Sequence, residues 1–149
     1  MATFWFIPAV ACYVVSAVLF VGQRRAGLTR AGGLAVGFLA AGAVLHALDL
    51  AARGIAAGNI PVSNFAGALS FLAWLTALFG LVMIVRVQLA VIGAFVASGV
   101  TLAFAIASVM QIDRPIRLPD TLRSIWLPIH VTLAIFGYAL FVLAASVSI

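Results

Sequence analysis

Five runs of apolar residues, each long enough to cross a bilayer as a helix, constrain this chain more than any other feature. They fall at about 4–22, 33–53, 65–85, 88–110 and 126–148. Crossing roughly 30 Å of hydrocarbon takes about 20 helical residues. No water reaches the backbone there, so each span must satisfy its own N–H and C=O groups, as an α-helix does. A β-barrel needs short segments of alternating polarity, and none of the five runs alternates. The expected fold is therefore all-α, a polytopic membrane bundle of five transmembrane helices forming a single domain over residues 1–149.

The segments between the runs agree with that division. Residues 23–32 hold three arginines and two glycines. Residues 53–64 hold Gly54, Gly58, Asn59 and Pro61, then Ser63 and Asn64 as candidate N-caps of the third helix. Arg86-Val87-Gln88 makes a tight turn, and 111–127 is the longest connection, with Asp113, Arg114, Arg117, Asp120 and Arg123. Pro128 suits the first turn of the fifth helix, where its missing N–H costs nothing. Gly33-x-x-x-Gly37 and Gly93-x-x-x-Ala97 are candidate close-contact faces.

Charge gives the orientation. The net charge is +5, only 7% of residues are charged, and every basic residue is an arginine in or beside a loop. Arginines so spread act as topology signals and headgroup contacts rather than as a nucleic-acid surface. Arg24, Arg25, Arg30 and Arg86 fall on one side, and Arg53, Arg114, Arg117 and Arg123 on the other. The tie is broken by the dense first loop, because the first helix usually dominates. No positive segment precedes the first span, so that span reads as a signal anchor. The expectation is a bacterial inner-membrane protein with a periplasmic N-terminus and an outward-facing 111–127 loop. The chain stops near the end of its fifth span, and the expectation is that it forms the N-terminal part of a longer protein.

Chemistry is scarce. There is no Glu and no Lys, and the single Cys12 permits no intrachain disulfide. No Ser or Cys stands beside a His with an orienting acid, so the chain is not expected to be an enzyme. What remains is His46 and His130, two imidazoles inside apolar runs. An ionisable group at membrane depth is costly unless paired, neutral or bound. His46 precedes Arg53 by seven residues and lies about 10 Å below the outer end of its helix. His130 follows Trp126 by four residues and lies about 6 Å below the outer end of its own. At comparable depth, two such imidazoles can hold a metal or an iron porphyrin, provided their helices are neighbours.

Each histidine has suggestive company. Asp49, three residues after His46, can orient that ring as second carboxylates do in metal sites. Arg53 can hold Asp49 ionised. Trp126, Ala134 and Gly137 share a face with His130 and leave room for a flat ligand. The plainer alternatives stay open: both histidines as interhelical hydrogen-bond donors, Asp49 and Arg53 as a mutually neutralising pair, and Trp126 as a belt residue.

The run Trp126-Leu127-Pro128-Ile129-His130 through Gly137-Tyr138-Ala139 resembles the cytochrome c assembly membrane family, CcsA- and CcmC-like, with its HemX and YpjD branch. The family pattern places a His at the outer start of a helix and Tyr-Ala eight residues later. Ser63-Asn64-Phe65 through Ser70-Phe71-Leu72-Ala73-Trp74-Leu75, and Leu45-His46-Ala47, are similar to the YpjD branch. The resemblance implies that His130 corresponds to an external axial haem ligand and His46 to an intramembrane histidine of that branch. Arg114, Arg117 and Arg123 are then available to propionates.

Three expectations follow. The first is an inner-membrane protein that binds or presents haem, or scaffolds haem-protein assembly. Its cofactor-binding residues are His130, His46, Asp49 and Trp126, and the two histidines are iron ligands. Its partners are the bilayer and other membrane proteins of cytochrome assembly, with no nucleic acid. The second is a cofactor-free structural subunit of a larger membrane complex. The third is a small transporter, with Asp49 and the histidines relaying protons.

Overall fold

The computed structural model describes residues 4–27, 32–57, 64–110 and 126–148. Five α-helices follow one another: α1 (Phe6–Arg25), α2 (Gly33–Ala57), α3 (Phe65–Val87), α4 (Ala90–Val109) and α5 (Trp126–Val147). Each coincides with one of the five apolar runs. Helices α1 to α4 are each long and apolar enough to span a membrane, and α5 has 22 residues.

The boundaries shift for local reasons. Helix α1 runs on to Arg25, whose charge together with that of Arg24 lies in the last turn, where cations oppose the negative end of the helix dipole. Helix α2 continues past Arg53 to Ala57, because Arg53 turns back on Asp49 within the helix. Asn64 caps α3 as expected: its Oδ1 accepts from the Gly67 N–H at 2.6 Å. Ser63 lies outside the described residues. Gln88 ends α3 in the left-handed region at φ 57°, and its N–H donates to the Ile84 carbonyl. Only Gln88 and Leu89 therefore separate α3 from α4.

Helices α1 to α4 form a closed ring, with α1 against α2 and α4, and α3 against α2 and α4. Helix α5 rests on the outside of α3, with a lighter contact to α4. Lipid is as apolar as leucine, so burial contributes little to holding such helices together. Close packing and interhelical hydrogen bonds carry that load. Glycines within the helices make close approaches to neighbouring helices: Gly42 beneath the Tyr13 ring, Gly80 against Val96, and Gly93 against Phe20. The Gly93-x-x-x-Ala97 face is thus a real contact, with Ala97 fully buried. Gly33 and Gly37 meet nothing within 4 Å among the described residues, so that pair makes no close helix contact there. Side chains also bond to backbone carbonyls of neighbouring helices. Ser16 Oγ donates to the Ala35 carbonyl at 2.8 Å, and Trp74 Nε1 donates to the Ala43 carbonyl at 3.0 Å.

Candidate functional site

The His46 cluster lies toward the end of the ring where α1 begins, α2 ends, α3 begins and α4 ends. His46 on α2 is at their centre and is fully buried. Its Nε2 lies 2.9 Å from Ser70 Oγ on α3, and its Nδ1 lies 3.2 Å from the Tyr13 hydroxyl on α1. With the proton on Nε2, the ring donates to Ser70 and accepts from Tyr13. In the other tautomer it donates to Tyr13 and accepts from Ser70. Either way a neutral imidazole is fully satisfied. Phe104 on α4 stacks on the His46 ring, with centroids 3.7 Å apart and planes 26° apart. The Tyr13 ring meets both edge-on, at 5.8 Å from His46 and 6.1 Å from Phe104. One side chain from each of the other three ring helices therefore touches this imidazole.

Asp49 does not orient the ring. It turns toward the helix end, where its Oδ2 lies 2.7 Å from Arg53 Nε. Neither carboxylate oxygen receives a well-directed hydrogen bond, and Arg53 Nε and Nη1 donate none. Close approach without N–H alignment makes this a Coulombic pair. Asp49 has no exposed surface, whereas the Arg53 side chain keeps 16% of its own. The guanidinium also sits 5.9 Å from the centroid of the Phe6 ring, a cation–π distance. Of the two roles open to Asp49, pairing with Arg53 is the one the geometry contains.

His130 is placed quite differently. It lies one turn into α5, is exposed, and makes no hydrogen bond among the described residues. Trp126, one turn earlier at the start of α5, is also exposed. Helix α5 meets the ring through Ile135, Ala139 and Leu143, so His130 faces away from it. Helices α2 and α5 are not a packed pair: α2 lies on α1 and α3, and α5 on α3 and α4. The structure therefore does not meet the condition set for a single iron between His46 and His130 of one chain, that their helices be neighbours. The reason is that His46 faces into a ring on whose outside α5 rests. Arg114, Arg117 and Arg123 lie outside the described residues. Among those residues, no three His, Cys, Asp or Glu side chains cluster as a metal site.

Tyr13, Ser70 and Phe104 were not singled out from sequence. They lie about 10, 8 and 8 Å from the nearer ends of α1, α3 and α4, whereas His46 lies about 16 Å from the end of α2, so depth in the sequence did not pair them with it.

The fold is that of a polytopic membrane helix bundle, with His46 bonded inside it and His130 exposed on α5. The family model described as "Cytochrome C assembly protein" matches residues 62–149, and this chain belongs to that family. It is similar to the cytochrome c biogenesis protein CcsA of Cyanidium caldarium, at 33% identity over 92 residues. That alignment covers 60% of this chain and 31% of the relative, so this chain matches about a third of the relative's length. No solved structure matches the chain. The matched stretch contains α3, α4 and α5, and with them Ser70, Trp74, Trp126 and His130. Tyr13, His46, Asp49 and Arg53 precede it.

Proposed function

We propose that this protein is a bacterial inner-membrane component of cytochrome c assembly that binds or presents haem at His130, without catalytic turnover. The observation that carries this reading is the state of the two imidazoles: both nitrogens of His46 are engaged inside the ring, while His130 is exposed and unbonded. A metal ligand must offer a free lone pair on a neutral ring, and His130 can.

The surroundings of His130 fit a flat ligand. Trp126 lies one turn outward on the same face, and Ala134 and Gly137 below it carry almost no bulk. His130 would hold the iron and Trp126 would flank it, with the bilayer and other cytochrome-assembly membrane proteins as neighbours. Haem, when bound, supplies an iron whose axial position an imidazole fills. The residues of α1 to α4 hold the ring together and shield His46. YpjD-branch membership and a periplasmic N-terminus complete the reading.

The test is the visible spectrum of the purified protein after loading with haemin. The Soret band is expected to survive His46→Leu and to be lost with His130→Ala. The opposite pattern overturns the assignment. The cofactor-free subunit reading draws support from one observation, the hydrogen-bonded closure of the His46 cluster. A protein that takes up no haem and co-purifies with fixed membrane partners would establish it.

A further inference from the structure

A groove of about 530 Å³ opens between α3 and α5, lined by Phe79, Val82, Met83, Leu140, Leu143 and Ala144. All six side chains are apolar, and Val82, Leu140 and Ala144 are exposed. The two helices run in the same direction: Leu75 clusters with Ile135, Phe79 meets Phe136 at 5.5 Å between ring centroids, and Met83 shares the groove with Leu143 and Ala144. The groove therefore lies toward the end where α3 finishes at Val87 and α5 at Val147. It spans little more than one turn of each helix, about 6 Å at 1.5 Å per residue. That is far short of the roughly 30 Å along which a neighbouring transmembrane helix would run. An acyl chain, one methylene wide, fits a wall of that size.

The next position on this face of α3 is a cation. Phe79, Val82, Met83 and Arg86 recur at helical spacing. Arg86 is exposed and, among the described residues, makes no ion pair. It stands about 5 Å beyond Met83 along the helix axis. Arginine lays its methylenes on apolar surface and keeps its guanidinium in the headgroups, where a phosphate meets its fork of N–H donors. No carboxylate side chain competes at this end of the bundle. The chain has three acidic residues. Asp49 pairs with Arg53 toward the opposite end, and Asp113 and Asp120 belong by sequence to the connection from α4 to α5. Arg24 and Arg25, in the last turn of α1, add to the positive charge at the Arg86 end.

We propose that the α3–α5 groove and Arg86 form a seat for one anionic phospholipid, with an acyl chain between the two helices and the phosphate on Arg86. The apolar wall begins one turn below the guanidinium, the depth of the upper methylenes of a lipid whose phosphate is level with Arg86. Charge complementarity selects the head group, because a zwitterionic lipid brings its own cation to compete for the phosphate. The seat is independent of the haem reading of His130.

The test is native mass spectrometry of the full chain, released from non-ionic detergent containing equal amounts of phosphatidylglycerol and phosphatidylcholine with identical tails. One retained phosphatidylglycerol per chain is expected, in preference to phosphatidylcholine. Arg86→Gln should lower that preference about fivefold, the effect of one arginine at an anionic surface. Arg24→Gln should leave it unchanged, since α1 packs on α2 and α4 and not on α3 or α5. Ala144→Phe, which fills the groove, should remove the retained lipid of either kind. Equal retention of the two lipids, or equal loss of preference in the two arginine variants, overturns the role of Arg86. Retention unchanged by Ala144→Phe overturns the groove as the seat of the tail. The two arginine variants change only exposed side chains near helix ends, so the comparison between them decides the head-group assignment even where Ala144→Phe does not fold.

Discussion

Gly42→Ala should unsettle the His46 cluster from the opposite side of the Tyr13 ring. A Cβ built at Gly42 would stand 2.7 Å from Tyr13 Cδ1, 2.8 Å from Cε1 and 3.3 Å from Cys12 Cβ. Ordinary carbon contacts begin at about 3.5 Å, so the ring must retreat by most of an ångström. It has nowhere to go, being fully buried with its edge on Phe104 and its hydroxyl on His46. That hydrogen bond is already long at 3.2 Å, and such a retreat breaks it. Overpacking costs about 1–3 kcal/mol, and a lost interhelical hydrogen bond adds about 0.6 kcal/mol. Against this, alanine gains up to about 1 kcal/mol of helix propensity over glycine. The expected net loss is about 2 kcal/mol.

Gly37 supplies the control. It is on the same helix, five residues earlier, and a Cβ there meets nothing within 4 Å. Gly37→Ala should therefore be neutral or stabilise by up to about 1 kcal/mol. Reversible unfolding in mixed detergent micelles, followed by tryptophan fluorescence, measures both. In a Tyr13→Leu background the Gly42→Ala penalty should shrink by more than about 1 kcal/mol, the signature of residues in contact. Equal effects at the two glycines, or additivity with Tyr13→Leu, would refute the packing argument.

Three further outcomes are expected. Arg53→Leu should destabilise more than Asp49→Leu, because it strands a carboxylate with no exposed surface. Removing one partner of a buried pair costs about 3–5 kcal/mol, whereas an unpaired Arg53 near its helix end can snorkel outward, and the same unfolding assay gives the order. Ser70→Ala and Tyr13→Phe should each cost about 0.6 kcal/mol and at most about 1.7 kcal/mol, and a larger combined loss in the double variant would show that His46 needs at least one partner. Thr121→Cys, in a Cys12→Ala background, should react with an impermeant maleimide from the periplasmic side, and labelling only after the inner membrane is opened would reverse the orientation.

The helices were legible in the sequence, and the reason is the solvent. In hydrocarbon a run such as 65–85 has no alternative to satisfying its backbone as a helix, so composition and length give its existence and place it to within a few residues. The cap at Asn64 was equally local, since a side-chain oxygen needs only an N–H three residues on. The histidines were visible as anomalies, because polar residues are costly at that depth.

Which way each histidine faced was not legible. His46 and His130 have similar depth and similar apolar neighbours in the sequence, yet one stacks on Phe104 between two hydroxyls and the other looks outward. Local sequence sets a residue's position along its helix axis. Rotation about that axis, and the choice of neighbouring helix, come from packing contacts between residues far apart in the chain: Gly42 on Tyr13, Gly80 on Val96 and Gly93 on Phe20. Asp49 turned to Arg53 rather than to His46 for a related reason, since the imidazole's two nitrogens were already taken by α1 and α3. Depth and helicity were thus determined by the sequence itself, because bilayer and backbone impose them residue by residue. Facing and partnership were decided only when five helices competed for the same contacts.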